Sequence, residues 1–135
     1  PVQTAFGVSR PDTEATGHWR TDAGEAIKQS GNPFLPHVAE IAEFADAVAE
    51  MTAPAYVGWT PGDADGQAVP PPIDRSAVEA AGQLWLWIGP EGGFNDHELE
   101  TLKGRQAQPL AIGRWILRVE TAVVAALAWI VNQYQ

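Results

Sequence analysis

The chain has 135 residues, 45% of them hydrophobic and 19% charged, with a formal net charge of −9 and no cysteine. That length suits one domain with one core, because a chain of this size buries about two thirds of its unfolded surface, and the apolar content excludes an intrinsically disordered chain. The absence of cysteine excludes disulfides, thiolate metal ligands and thiol nucleophiles.

In chain order, residues 1–6 alternate weakly and predict a short strand. A polar loop follows over residues 7–17, with Pro11, Asp12 and Thr13 as turn formers. A helix is expected over about residues 19–30, stopped by Gly31, Asn32 and Pro33. Residues 35–41, which include Pro36, are expected as a short extended segment, and helical spacing resumes over residues 43–51. Residues 55–59 predict a buried strand ended by Thr60, Pro61 and Gly62. Residues 63–74, acidic and containing Pro70, Pro71 and Pro72, predict a surface loop, and residues 75–81 a short helix. Residues 1–10 carry no basic segment followed by an apolar one, so no signal peptide is indicated and a cytoplasmic protein is expected. The longest apolar run, residues 122–131, is about half of the roughly 20 residues needed to span a bilayer, so no membrane span is predicted.

The last third holds two consecutive units of one design, each an apolar strand ending in isoleucine and glycine, then a loop, then a helix. The first is strand 84–88, loop 89–94 and a helix from Asn95 to about Gly104; the second is strand 109–112, loop 113–118 and a helix from Val119 to about Gln133. Asn95 and Glu98 form a capping-box-like pair at the first helix start. The alternation of strands and helices predicts an α/β fold with a parallel sheet, and ligands in such sheets bind where loops converge at the carboxyl ends of strands.

The loop Gly89, Pro90, Glu91, Gly92, Gly93, Phe94 carries three glycines, which permit positive φ and close backbone approach to a ligand, and the helix N-terminus after it offers free amides. The same features fit a plain tight turn. The spacing is that of neither a P-loop nor a dinucleotide fingerprint. Arg118 either stabilises developing negative charge and holds a phosphate, or pairs with Glu120 or Glu91. Glu91 either accepts a proton or pins the glycine loop. His18, His37 and His97 have no metal-ligand spacing and are expected at the surface, so no metal is expected. Trp85, Trp87 and Trp129 fall on strands or helices and suit core packing, whereas Trp115 falls in a loop. The helix at 121–133 is apolar until Asn132, and must be buried all round by a central position in a monomer or by a partner chain. The net charge opposes nucleic-acid binding, but Lys103, Arg105, Arg114 and Arg118 lie close in sequence and allow a local basic face.

Residues 88–94, followed by Gly113 and then by Ile116, Leu117, Arg118, Val119, Glu120, Thr121 and Ala122, closely resemble the paired signature of the bacterial uridine N3-methyltransferase family of the SPOUT superfamily. Gln29, Ser30, Gly31 and Pro36 match a further segment of that family, so the resemblance covers essentially the whole chain and is strongest from Leu84 onward. It implies a parallel-sheet α/β SPOUT fold with a C-terminal deep trefoil knot over about residues 84–135, an exception to the rule that chains do not thread loops. It implies S-adenosylmethionine as cofactor, gripped by Gly89, Pro90, Glu91, Gly92, Gly93, Ile112, Gly113, Ile116, Leu117 and Thr121, with adenine near Ile112, Gly113, Ile116 and Leu117. It further implies small-subunit (16S) ribosomal RNA as partner, Arg118 and Glu91 as catalytic residues, and a homodimer formed through the knot-side helices.

The chain departs from the family pattern at Asn32, where an arginine is usual, at Arg114 and Trp115, where proline and arginine are usual, and at Val119, where threonine is usual. The resemblance also implies that Pro1 stands at the second strand of the methyltransferase domain, without the first βα unit or the PUA-like RNA-binding barrel. Two other functions stay open: a knotted dimerisation or cofactor-binding module with little or no catalysis, which the acidic charge suggests, and a methyltransferase for a different RNA.

Overall fold

Alternation along one strand organises the core. In β3 (Ala55–Trp59), Ala55 and Val57 point to one side and Tyr56 to the other, as a two-residue period requires. The computed structural model describes residues 2–5, 7, 13–31, 33–52, 54–59, 72–113 and 115–133. β3 is the middle strand of a three-stranded parallel sheet, flanked by β4 (Trp85–Trp87) and β5 (Gln108–Ala111). On the Ala55 and Val57 side pack α2 (Phe44–Glu50) and α4 (Asp96–Gly104), through Val48, Met51, Trp87 and Leu102. On the Tyr56 side pack α3 (Arg75–Ala81) and α5 (Val119–Gln133), through Val78, Leu110 and Ile130. Helices thus cover both faces, and the expected α/β class with parallel pairing is what the chain forms.

Two tryptophans of β4 do the packing that their strand positions predict. Trp87 is buried, meets Phe44 edge-on at a centroid distance of 5.6 Å, and donates its ring N–H to Met51 Sδ at 3.0 Å. Trp85 stacks beside Trp87 at 6.4 Å. Trp129 is less enclosed than expected, because α5 turns only one stripe inward: Ala122, Ala126 and Ile130 are buried, while Val124, Leu127 and Val131 on the opposite side are exposed. A central position in the monomer, the first of the two expected ways of burying this helix all round, is therefore not what forms, and burial by a partner chain is left open.

The early part of the chain departs most from expectation. α1 (Thr13–Ser30) begins well before the expected start near Trp19, and the loop expected to reach Gly17 stops short of it. A Cβ added at Gly17 would meet nothing within 4 Å, so no packing demand there offsets the glycine's cost to the helix of about 1 kcal/mol relative to alanine. Thr16, 1% exposed, anchors the first turns, and Glu14 there suits the helix N-terminus. The segment expected as extended over 35–41 joins no ladder. Pro36 has no N–H to contribute, and pairing begins only at β2 (Ala42–Glu43), parallel to β1 (Val2–Gln3). Arg20 of α1 ties that segment down, donating from Nε to Val38 O at 3.0 Å and from Nη2 to Glu40. The hydrogen bond and charge of Arg20 hold the Glu40 carboxyl below its usual range. The expected strand-ending residues Thr60, Pro61 and Gly62 and residues 63–71 of the acidic loop expected over 63–74 are outside the described residues, as are Pro11, Asp12 and Asn32.

Helix ends follow their caps. Asp74 starts α3 by accepting from Ala77 N at 3.1 Å, and Gly82 ends it at φ 66°. The Ser76 hydroxyl, and then the Ala77 amide, hold the Asp74 carboxyl below its usual value. This cap is therefore intact above the ordinary carboxylate range and is lost as the pH falls through that lowered pKa. The predicted capping box of α4 forms, with Glu98 N donating to Asn95 Oδ1 at 2.8 Å and Asn95 N to Glu98 Oε2 at 2.9 Å. After α4, Gln106 takes the left-handed conformation at φ 65°, and Ala107 N and Gln106 N return to Leu102 O and Lys103 O. An L side chain there costs about 1 kcal/mol, so Gln106→Gly is expected to stabilise the chain by roughly that amount, read as a higher urea midpoint at unchanged slope.

Candidate functional site

The parallel register brings the two glycine loops together. Val57 lies beside Trp87 on one edge of β3, and Gly58 beside Leu110 on the other, so residues 88 and 112 leave the sheet on either side of Gly58. A Cβ on Gly58 would stand 3.1 Å from Ile88 Cδ1 and 3.5 Å from Ile112 Cδ1. The missing side chain is what lets those isoleucines converge over the middle strand. Above them opens a cavity of about 370 Å³, within the range of small-molecule sites.

One wall is the loop after β4. Gly93 N donates to Pro90 O at 2.8 Å, closing a turn, and Gly93 holds φ at 73°, where other residues are strained. Gly89 is tightly enclosed: a Cβ there would lie 3.3 Å from the backbone of Gly93 and from Phe94 Cδ2, so either neighbour would have to give by a few tenths of an ångström. Phe94 is held in turn by Phe44 and Trp87, at centroid distances of 6.2 and 6.5 Å. The opposite wall is the loop after β5, with Gly113, Ile116 and Leu117. Gly113 is unlike Gly89, since a Cβ there meets nothing within 4 Å.

Of the residues predicted for the site, Gly89, Pro90, Glu91, Gly92, Gly93, Ile112, Gly113, Ile116 and Leu117 all line this cavity. Arg118 and Thr121 do not. Both are exposed at the start of α5, and among the described residues Arg118 forms no ion pair with Glu120 or Glu91. The lining also contains Ile88, Phe94, Trp115, Val119 and Ala122, which belong to the sequence motifs without an expected role in binding, and Gly58 and Leu99, which the sequence does not single out by motif. Gly58 had a legible signal, a glycine inside an apolar strand, which marks close approach of other groups. Among the described residues, Glu91, exposed, is the one charged residue in the lining.

The anticipated basic face is thinner than its sequence suggests. Arg105 donates to Ala49 O and Met51 O at 3.2 and 2.9 Å, capping the end of α2, and Lys103 pairs with Glu100 at 3.0 Å. Arg118 remains exposed, and Arg114 lies outside the described residues. His18, His37 and His97 are exposed, and no cluster able to hold a metal ion occurs among the described residues. Among those residues, too, no helix is long and apolar enough to cross a membrane.

A mostly apolar cavity between two glycine loops at the carboxyl ends of parallel strands has the place and form of a small-molecule site. The chain matches the RNA methyltransferase domain family over residues 1–131, and it belongs to that family. Ribosomal RNA small subunit methyltransferase E of Synechocystis is 29% identical over 131 residues, covering 96% of this chain and 43% of that protein. The protein of the same name from Bacillus subtilis is 27% identical over 139 residues, covering 98% and 54%. A Legionella pneumophila structure solved with the cofactor S-adenosylmethionine bound superposes with a TM-score of 0.73 at 27% identity, over 95% of this chain and 52% of that one. The chain spans about half the length of the curated relatives it matches.

Proposed function

We propose that the chain is the cofactor-binding and catalytic part of an S-adenosylmethionine-dependent methyltransferase acting on N3 of a uridine in small-subunit ribosomal RNA, working as a cytoplasmic homodimer. The observation that carries the reading is one cavity lined by residues 89–93 on one side and by Ile112, Gly113, Trp115, Ile116 and Leu117 on the other, over Gly58. In this reading the segment from about residue 84 onward forms the SPOUT trefoil knot, and its two loops are the ones that meet. The relatives' names support a ribosomal RNA substrate.

The residues present fit the donor. Ile112, Ile116 and Leu117 offer apolar surface and main-chain polar groups to an adenine, and the glycine loop lets backbone approach where side chains would block it. The bound donor would supply an electrophilic methyl group on its sulfonium sulfur. Methylation at uracil N3 requires the imide proton to leave, which puts negative charge on the flanking carbonyl oxygens. Glu91 is the proposed proton acceptor, supported by its position in the lining. Arg118, exposed beside the pocket-lining Leu117 and Val119, is proposed to steady the carbonyl charge or an RNA phosphate.

The dimer is proposed through α5, whose exposed Val124, Leu127 and Val131 form a second apolar stripe opposite the buried one. A cofactor-binding module without catalysis is the competing reading, favoured by the net charge of −9 and by the scarcity of cations near the cavity among the described residues. Two measurements decide. Calorimetry is expected to show S-adenosylhomocysteine binding to the chain, and its absence in folded protein would reject the reading. Methyl transfer from labelled S-adenosylmethionine to small-subunit RNA by the whole protein is expected to fall roughly 100-fold or more in Arg118→Ala, the scale of losing a charge-stabilising group. Transfer at the wild-type rate removes Arg118 from the chemistry, and no transfer by the unmodified protein leaves the binding module.

A further inference from the structure

Glu98 does more than start a helix. It is only 5% exposed, and no cation pairs with it among the described residues. A buried carboxylate is costly unless both oxygens find donors, and here both do, from places far apart in the chain. Oε2 accepts from Asn95 N at 2.9 Å, and Oε1 accepts from Ala5 N at 2.8 Å. Asn95 is the residue at which the glycine loop hands over to α4. Ala5 sits just after β1, inside the turn closed by Gly7 N and Thr4 O at 3.2 Å.

The capping box needs only the first of these bonds. The second joins the helix to a segment whose strand pairs with β2 and not with the three-stranded sheet. Hydrogen bonds to a carboxylate are short and about twice as strong as neutral ones, and the N-terminus of α4 favours the negative charge. A carboxylate is also the one ending of this length that accepts at both oxygens, because an amide accepts at one atom and donates at the other.

We propose that Glu98 is a positioning residue for the loop at 89–94, clamping the turn after β1 to the point where that loop ends, so that its backbone keeps its place along the cavity. The proposal rests on the reading of that cavity as the methyl-donor site, and it deepens that reading by making donor affinity depend on a segment outside the cavity lining.

The test separates the clamp from the helix cap. Glu98→Gln cannot accept both amides. Ala5→Pro removes only the Ala5 N–H, at the second position of a turn, where proline's fixed φ is favoured, and it leaves the cap of α4 untouched should the glutamine variant fold poorly. Amide exchange at Gly92, Gly93 and Phe94 in the unliganded chain is expected to quicken about tenfold in either variant, with S-adenosylhomocysteine affinity falling by a similar factor, the scale of one bond to a charged group. The double variant is expected to be no worse than Glu98→Gln alone. Loop exchange unchanged in Ala5→Pro overturns the proposal and leaves Glu98 a helix cap. Faster loop exchange in both variants, in a chain that binds no S-adenosylhomocysteine even when unmodified, upholds the clamp and overturns the cofactor reading instead.

Discussion

Replacing Gly89 with valine is expected to weaken S-adenosylhomocysteine binding roughly 10- to 100-fold, the equivalent of an overpacking cost of about 1–3 kcal/mol. The first added carbon already stands 3.3 Å from Gly93 backbone atoms, and backbone cannot swing aside as a side-chain tip can. The two further methyls of valine must push the loop away from β4 or force the turn at Pro90 open. Gly93→Val should act in the same direction through its φ of 73°. Gly113→Ala provides the contrast, since an added Cβ there meets nothing within 4 Å. Its stability should match the parent, so any loss of binding there comes from the cavity itself. Calorimetry on the three variants, with urea midpoints alongside, checks the set, and unaltered affinity in Gly89→Val would show that this cavity does not hold the donor.

A second large effect is expected on α5. Val124 is 67% exposed and Leu127 49%, so Leu127→Glu should leave an isolated chain as stable as before. In a twofold dimer packed on that stripe the new carboxylate faces its own copy or apolar surface twice over. The dissociation constant should then rise roughly 100-fold, since placing like charges together costs several kcal/mol. Sedimentation equilibrium checks it. A parent chain that is already monomeric at tens of micromolar would remove the dimer, and an equally tight Leu127→Glu dimer would move the interface off this helix.

Legibility in the sequence tracked how locally each element is specified. β3, α3 and α5 run as expected because turn formers or a change of polarity mark both of their ends. The α4 start was visible in two residues, Asn95 and Glu98, because a capping box is a contact between near neighbours. α1 was misjudged at its start, where Gly17 suggested loop while the burial of Thr16, a tertiary fact, favours helix. Residues 35–41 are extended in sequence pattern, but with Pro36 among them they join no ladder. For the site, the glycine loops were plain, and that they meet depends on β3 standing between β4 and β5, an order that no local pattern encodes. The same holds for Arg105, whose carbonyl partners Ala49 and Met51 lie at the end of a distant helix.

That strand order also shapes how the molecule is made. β3 is the centre of its sheet, yet both of its neighbours come later in the chain, the second only at Ala111. During synthesis at roughly 5–20 residues per second, the apolar strand 55–59 waits several seconds with both edges open, a state prone to pairing with another nascent chain. Ribosome-bound intermediates ending before β5 are therefore the ones that should recruit chaperones.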